Sequence, residues 1–447
     1  MTDGLRPTIW RIRRRRATLA ATCATLLLSS CIETGSSAPK AAAERSAAAD
    51  VSSRSSLAAF HKALASLEAG RTRRVNIVQV GDSHTAGDHF SGRLRELFQG
   101  RFGNAGRGML PPGSPFPYWR PSQVHVEQKG RWEVLSSNRR DYPQVPYGLS
   151  GFVLRSGTAG AAITLEADSP FDNAEVTFFR QPSGGRVEAL VDGARVGEID
   201  MRGPAWKMDR ASFPASVGRR FELRVRGDGQ VDIADWSVYR HDRGVTLSSH
   251  GFVGASVGLM DRWNGANVTA ELRQLSPALI ILAFGTNEGF DPVDGLGAYG
   301  AILQSRIGRL RAAVPGASIA IVGPPDAERL PDYCGPRGPA RDNAPCAPLS
   351  AAEARDYDRL LARHDRSLCR WHAPAGIALV REQQRQAANR TGAFFWDWST
   401  VQGGACGAAR WAQDGLGHRD HVHMMDGGYA LSADRFHDTL MRSYRKR

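Results

Sequence analysis

The 447-residue sequence predicts a three-layer α/β domain with a parallel sheet, interrupted by an all-β, sandwich-like insert. Continuous apolar runs at residues 278–284 and 317–322 are typical of strands buried on both faces of a parallel sheet. Apolar residues at helical spacing alternate with such runs towards both ends of the chain. Between residues 130 and 245 this pattern is replaced by short runs in which apolar and polar residues alternate.

Composition places the chain among globular proteins. It is 42% hydrophobic and 23% charged, which excludes a disordered or collagen-like chain. No apolar run reaches the roughly 18 residues of a membrane-spanning helix, so a polytopic membrane protein is also excluded. The formal net charge is +13, and basic chains can bind nucleic acid or anionic polymers. Because the arginines are scattered and only the tail at residues 442–447 forms a basic run in the folded part, we expect no nucleic-acid partner.

Residues 1–31 predict an export signal. Arg11 and the arginines at residues 13–16 form a basic region, and a short, mostly apolar stretch follows over residues 17–30. The letters LSSC that end at Cys31 resemble a bacterial lipoprotein cleavage box, in which Cys31 carries a lipid that anchors the chain to a membrane. An ordinary secretory peptide with an incidental cysteine is the alternative. We therefore expect an exported protein, located in the periplasm or at the outer membrane, with a flexible linker over residues 32–55.

Four cysteines follow the first 31 residues, namely Cys334, Cys346, Cys369 and Cys406. An even number in an exported chain predicts two disulfides, for which three pairings exist. Cys334 and Cys346 enclose a loop rich in proline and glycine, and we expect them to form one pair. A zinc site is the competing interpretation, but no short Cys-x-x-Cys spacing supports it.

The α/β domain is predicted from residues 56–129 and 246–447, and the β insert from residues 130–245. In the insert, Val187, Ala189 and Val191 alternate with polar residues up to Asp192-Gly193, which predicts a hairpin turn. Outside the insert the predicted order is a helix over 57–67, a strand over 75–80, a helix over 90–98, a strand over 278–284, a helix over 298–313, a strand over 317–322, helices over 351–369 and 376–389, a strand over 393–396 and a helix over 428–444.

Two polar motifs follow predicted strands, at the edge where open α/β sheets bind ligands. The first is Gly81-Asp82-Ser83-His84, in which glycine permits a sharp turn that presents the Ser83 hydroxyl and backbone N–H. Taken alone, Asp82 and Ser83 also suit a helix N-cap. The second is Gly285-Thr286-Asn287-Glu288, in which the Asn287 amide can donate to a developing oxyanion. A loop asparagine in an Asx-turn is the alternative there.

A third motif, Asp420-His421-Val422-His423, precedes the last predicted helix. A carboxylate three residues before a histidine can bind one ring nitrogen and leave the other free to act as a base. His423 has this spacing from Asp420, whereas the side chains of Asp420 and His421 should diverge. A metal site formed by His418, His421 and His423 is the competing interpretation.

Jointly, and in this order, the three motifs resemble those of SGNH (GDSL-type) hydrolases. The resemblance runs from about residue 57 to residue 445 and implies a flavodoxin-like three-layer fold. The stretches around Ser83, Asn287 and His423 look most like the peptidoglycan O-acetylesterase branch. Members of that branch are similar in being exported, and they carry a carbohydrate-binding-module-like β domain inserted between the first two motifs.

Carried over by residue, this resemblance implies that Ser83 is the nucleophile, His423 the general base and Asp420 the residue that orients His423. The backbone N–H groups of Ser83 and Gly254 and the side chain of Asn287 would form the oxyanion hole. Gly254 lies in a glycine block at residues 248–255 that has Val253 where the branch commonly has Asn. No metal or cofactor is implied.

The implied function is removal of O-acetyl groups from an acetylated cell-wall glycan, with peptidoglycan as the expected substrate. Transfer of an acetyl group to a wall or exopolysaccharide sugar by the same triad is the first alternative. A non-catalytic carbohydrate-binding envelope protein is the second. In the insert, Trp206 and Trp236 are candidates for stacking on sugars, although packing in the core is the ordinary role of such residues.

Overall fold

The computed structural model describes residues 55–117, 119–335 and 344–444. The predicted export signal, the lipidation site at Cys31 and the linker up to residue 54 lie outside the described residues. All described residues belong to one compact unit. Within these ranges, no helix is both long and apolar enough to cross a membrane.

A five-stranded parallel sheet has the strand order β11-β1-β12-β13-β14. The four strands predicted for this sheet are confirmed, and β11 is an additional edge strand. The strands are β1 (Arg74–Gly81), β11 (Gly244–Gly251), β12 (Leu279–Ala283), β13 (Ser318–Val322) and β14 (Phe394–Trp396).

Helices cover both faces of the parallel sheet, which gives the predicted three layers. Ile280 and Leu282 of β12 pack with α4, α6 and α9, whereas Leu279 and Ile281 pack with α1, α3 and α11 on the opposite face. In chain order the described α-helices are α1 (Ala58–Glu68), α2 (Ser83–Ala86), α3 (His89–Phe102), α4 (Gly265–Leu275), α5 (Thr286–Phe290), α6 (Tyr299–Ala313), α7 (Ala351–Arg355), α8 (Tyr357–Ala362), α9 (Ala375–Thr391), α10 (Gly407–Gln413) and α11 (Asp426–Met441).

A second, nine-stranded antiparallel sheet confirms the predicted all-β part. Its strand order is β4-β5-β10-β6-β9-β7-β8, with β2 paired to β10 and β3 paired to β6. These strands are β2 (Gly106–Leu110), β3 (Val124–Lys129), β4 (Glu133–Ser136), β5 (Phe152–Ser156), β6 (Ala162–Arg180), β7 (Arg186–Val191), β8 (Ala194–Asp200), β9 (Lys207–Val225) and β10 (Val231–Tyr239). The domain boundaries at residues 130 and 245 stay a prediction.

The predicted hairpin lies between β7 and β8, where Asp192 and Gly193 both have positive φ, 49° and 83°. That conformation is typical of a tight two-residue hairpin turn. Trp236 is fully buried in the core of the antiparallel sheet, whereas Trp206 is 38% exposed beside the Phe179 ring. Core packing is therefore the role of Trp236, and sugar stacking by Trp206 stays a prediction.

The helix predicted over residues 351–369 is wrong, because the structure has α7, α8 and a 3-10 turn at Arg366–Leu368 in its place. His364 adopts a left-handed conformation with φ of 55°, which ends the helical path. Asp365 then caps the 3-10 turn by accepting a hydrogen bond from the Ser367 N–H.

The two predicted disulfides form, but the expected Cys334–Cys346 pair is wrong. Cys334 pairs with Cys369, and Cys346 pairs with Cys406. Cys346 lies beside Trp371 in a β-bridge, a pairing with a distant segment that the composition of its own loop does not reveal. The Tyr333 ring stacks on His364, which brings Cys334 towards the 3-10 turn that precedes Cys369.

Candidate active site

The predicted site residues follow three adjacent strands of the parallel sheet. In the strand register, Gly81 at the end of β1 lies opposite Gly251 of β11 on one side and Ala283 of β12 on the other. Ser83, Gly254 and Asn287 therefore leave the same edge of the sheet within four residues of these partners. The structure thus places all three candidates at the carboxyl edge, where the sequence predicts a ligand site.

The turn after β1 is fixed by its own backbone. The Asp82 N–H donates to the Ala283 carbonyl at 3.1 Å, and the Asp82 carboxylate accepts from the His84 N–H at 3.0 Å. Ser83 is the first residue of α2, so the N-cap role that the sequence also allowed belongs to Asp82. This leaves the Ser83 hydroxyl available for another partner.

That partner is His423, although the two residues are 340 positions apart. His423 Nε2 lies 3.0 Å from Ser83 Oγ, and His423 Nδ1 lies 2.7 Å from Asp420 Oδ2. The other Asp420 oxygen accepts the backbone N–H groups of Val422 and His423, each at 2.9 Å, which fixes the carboxylate. An alcohol, an imidazole and a carboxylate are therefore hydrogen-bonded in series.

The charges and hydrogen bonds of this series raise the pKa of His423, so that it is a stronger base than an ordinary histidine. The hydrogen bond that His423 donates to the Asp420 carboxylate raises the pKa of His423 above its ordinary value, although partial burial opposes that effect. Burial alone would raise the pKa of Asp420, but hydrogen bonds from His423 outweigh it and hold that pKa well below the usual range. Asp420 is thus ionised at any pH at which His423 titrates.

His84, next to Ser83, is kept neutral. Burial, together with the positive charge that His423 can carry, lowers its pKa to about 3. Its Nδ1 lies 3.0 Å from the Tyr429 hydroxyl, and its ring centre is 5.4 Å from that of His423. A neutral ring at this position supports the His423 ring without competing for its proton.

The loop after β11 carries the second candidate oxyanion donor. Gly254 has a φ of 73°, a conformation that L side chains rarely adopt. Val253 is exposed, and its carbonyl accepts from the Asn138 side chain at 2.8 Å, so this turn forms with valine at the position where asparagine is common. The side-chain amide of Asn287 donates to the Ala255 carbonyl at 2.9 Å.

Sequence reasoning missed Glu288, which follows Asn287 directly. Glu288 is 5% exposed, and its carboxylate accepts the Val257 N–H at 2.8 Å. Burial raises its pKa to about 7. Asn287 and Glu288 therefore anchor residues 255 and 257, which follow Gly254 in this loop.

Gly251 lets this loop and the Ser83 helix lie in contact. A Cβ atom at Gly251 would overlap the backbone of Thr85 and Ala86 in α2. Only a residue without a side chain fits between β11 and α2. The glycine block that the sequence analysis noted is therefore required for close approach as well as for the turn at Gly254.

Asp88 ties α3 to β11 behind the site. It is buried, has a φ of 56°, and accepts hydrogen bonds from Ser91, Ser249 and two arginines, Arg95 and Arg107. Burial alone would raise its pKa, but Arg107 and Arg95 hold that pKa far below the usual range. A buried carboxylate with two arginine partners marks a structural anchor, and the sequence motif gave no separate signal for it.

The histidines of the third motif have different partners. His421 Nδ1 lies 2.8 Å from Glu328 Oε2, and both side chains are buried. Asp420 and His421 diverge as predicted. Within the described ranges, His418, His421 and His423 do not form a group able to ligate a metal; the group found there, Glu328 with Cys346 and Cys406, contains disulfide-bonded cysteines.

Comparison with known proteins supports the fold. No protein-family model and no curated protein sequence matches the chain. A solved structure of a peptidoglycan O-acetylesterase is similar, with a TM-score of 0.67 and 24% identity over 87% of this chain and 97% of that one. The predicted three-layer α/β fold with a β insert is thus confirmed.

Two family two carbohydrate esterases also match. The one from Clostridium thermocellum has a TM-score of 0.26 and 11% identity over 70% of this chain and 98% of that one. The one from Cellvibrio japonicus has a TM-score of 0.25 and 12% identity over 72% and 98%. These low TM-scores add nothing to the argument.

Proposed function

We propose that the protein is a serine esterase that removes O-acetyl groups from a cell-envelope polysaccharide, with peptidoglycan as its substrate. The observation that carries the proposal is the continuous hydrogen-bonded series from Ser83 through His423 to Asp420 at a sheet edge. The similar solved structure of a peptidoglycan O-acetylesterase supports the choice of substrate.

In the proposed reaction Ser83 Oγ attacks the acetyl carbonyl while His423 Nε2 takes the hydroxyl proton. The tetrahedral oxyanion accepts hydrogen bonds from the Ser83 and Gly254 N–H groups and from the Asn287 amide. The intermediate collapses as His423 returns the proton to the departing sugar oxygen. Water then attacks the acetyl-Ser83 ester with His423 as base, which releases acetate and restores the serine.

Acetate release from O-acetylated peptidoglycan tests this proposal. Ser83→Ala should abolish release, whereas Ser305→Ala, an exposed serine on α6, should release acetate at the parent rate. Equal release by the parent and Ser83→Ala would contradict the mechanism. Products acetylated on an added sugar acceptor would assign the protein as a transferase, and absence of turnover of any small acetate ester would favour a non-catalytic binding protein.

We also propose that the protein is exported and anchored to a membrane by a lipid on Cys31. The two disulfides support export, because such bonds persist in oxidising compartments. Labelling cells with a fatty-acid probe should mark the parent and not Cys31→Ser. If neither the parent nor Cys31→Ser is labelled, the N-terminal segment is an ordinary secretory signal and the lipid anchor is contradicted.

A further inference from the structure

A cavity of about 620 Å³ lies on the Asp420 side of the hydrogen-bonded series. Its volume falls within the roughly 300–1,000 Å³ of small-molecule sites. Asp420 is part of the cavity wall, so the cavity reaches the residue that orients His423. The aromatic part of the wall consists of Phe290, Tyr333 and Trp371.

Two of the three aromatic residues, Trp371 and Tyr333, are held by contacts within the protein. The Trp371 ring stacks on His421 with 3.9 Å between ring centres, and the Tyr333 ring stacks on His364 at 4.7 Å. The Tyr333 hydroxyl donates to the Asp365 carbonyl at 3.2 Å. These rings are positioned before any ligand arrives, which reduces the entropy lost on binding.

The charged residues of the wall do not select an anion. Among the wall residues that are not buried, carboxylates and guanidinium groups are equally numerous: Asp332 and Asp420 against Arg329 and Arg419. Aromatic faces beside hydrogen-bonding carboxylates and guanidinium groups suit an uncharged sugar ring. The C–H face of the sugar packs on an aromatic ring, and its hydroxyls donate and accept at the polar groups.

We propose that this cavity is a glycan subsite that binds the sugar unit next to the one bearing the acetyl ester. The inference rests on the proposed function. Hydrogen bonds of 3.0 Å and 2.7 Å through a single imidazole separate Ser83 Oγ from Asp420, a span comparable to one sugar ring. Because Asp420 belongs both to the cavity wall and to the series that ends at Ser83, the neighbouring unit of a polymer with its ester at Ser83 can reach this cavity.

Direct binding measurements test the subsite without turnover. The probe is the peptide-free disaccharide of N-acetylglucosamine and N-acetylmuramic acid, titrated calorimetrically into full-length Ser83→Ala protein. On that background, Tyr333→Ala should weaken binding about fivefold to tenfold, as expected for loss of one stacked ring. Tyr333→Phe is the matched control and should bind within about twofold of the background protein. Phe290→Ala provides a second variant, away from the Cys334–Cys369 disulfide.

Unchanged affinity in both Tyr333→Ala and Phe290→Ala, or no binding of the disaccharide by the background protein, would overturn the subsite. Tyr333-dependent binding of a peptidoglycan stem peptide in place of the disaccharide would also overturn the sugar assignment. Disaccharide binding that depends on Tyr333, in a protein that releases no acetate, would contradict the proposed esterase function and leave the subsite supported.

Discussion

Two carboxylate–imidazole pairs lie side by side in the protein. Asp420 and His423 are separated by 2.7 Å, and Glu328 and His421 by 2.8 Å, so the hydrogen bonds are nearly identical. The first pair is about 40% exposed and continues to Ser83, whereas the second is buried beneath the Trp371 ring. Access to a nucleophile, and not the geometry of the pair, separates a candidate catalytic pair from a structural one.

Replacing each histidine by alanine is the most severe test of this difference. His423→Ala should lower kcat for acetate release by about 10⁵-fold or more, as expected when a triad base is lost, with little change in melting temperature. His421→Ala should keep kcat within about threefold and should unfold at a lower temperature, because the Glu328 carboxylate remains buried without its partner. Melting curves and initial rates on the same preparations measure both effects. Equal loss of turnover in the two variants would refute the assignment.

Replacing the two carboxylates, Asp420 and Glu328, by their amides should show the same difference between the two pairs. Asp420→Asn should lower kcat by about 10³–10⁴-fold, since the amide no longer favours the required tautomer of His423. Because Asp420 raises the pKa of His423, the residual activity should persist to lower pH than in the parent.

Glu328→Gln is the matched control for Asp420→Asn. It should leave the pH profile unchanged and lower the free energy of unfolding by about 1–3 kcal/mol, through imperfect satisfaction of His421 and the Ala409 N–H. A displaced pH profile in Glu328→Gln would show that the buried pair is coupled to the chemistry.

The Cys346–Cys406 disulfide should stabilise the buried pair in particular, since Cys346 bridges to Trp371 and Trp371 stacks on His421. The double variant Cys346→Ser/Cys406→Ser should lose about 2–4 kcal/mol of unfolding free energy, with kcat on a small acetate ester close to that of the parent. Urea unfolding gives the first quantity and ester turnover the second. A collapse of kcat in a folded double variant would mean that the exposed pair depends on the buried one.

The smallest expected effect concerns the acid side of the pH profile of acetate release by the unsubstituted protein. Hydrolysis needs neutral His423, and the Asp420 carboxylate raises the pKa of His423 above the ordinary value of 6.5. The kcat/KM value should therefore rise with pH and level off only above a midpoint higher than 6.5. A midpoint at or below 6.5 would mean that the effect of burial on the pKa of His423 outweighs that of its hydrogen bond to Asp420.

The sequence predicted those strands and helices whose apolar residues leave a strong local pattern. The apolar runs of β12 and β13 and the stripe of α1 predicted those elements, because burial on a sheet or helix face leaves a period in the sequence. Strand β11 gave no such signal. Its Thr246, Ser248 and Ser249 resemble loop residues, yet they are buried and hydrogen-bonded to Asn76, Met109 and Asp88 respectively.

At the candidate site and beside it, too, some residues could be predicted from the sequence and others could not. Ser83, Asn287, Asp420 and His423 stand in recognisable motifs whose order in the chain resembles a known family. Glu328 could not be found, because it lies outside every motif and its partner His421 is 93 positions away. The disulfide pairing was mispredicted for a related reason: loop composition says nothing about which distant segment lies beside Cys346.

Gly251 makes the spacing between α2 and the loop with Gly254 depend on the absence of a side chain at position 251. Displacements of about 1 Å near reacting groups can cost on the order of a hundredfold in rate, and one added methyl group at this position forces a displacement of that size. No favourable contact elsewhere could compensate, because the obstacle is backbone against backbone. Any side chain at position 251 should therefore displace α2, whereas a substitution at the neighbouring Val253, exposed to solvent, should not.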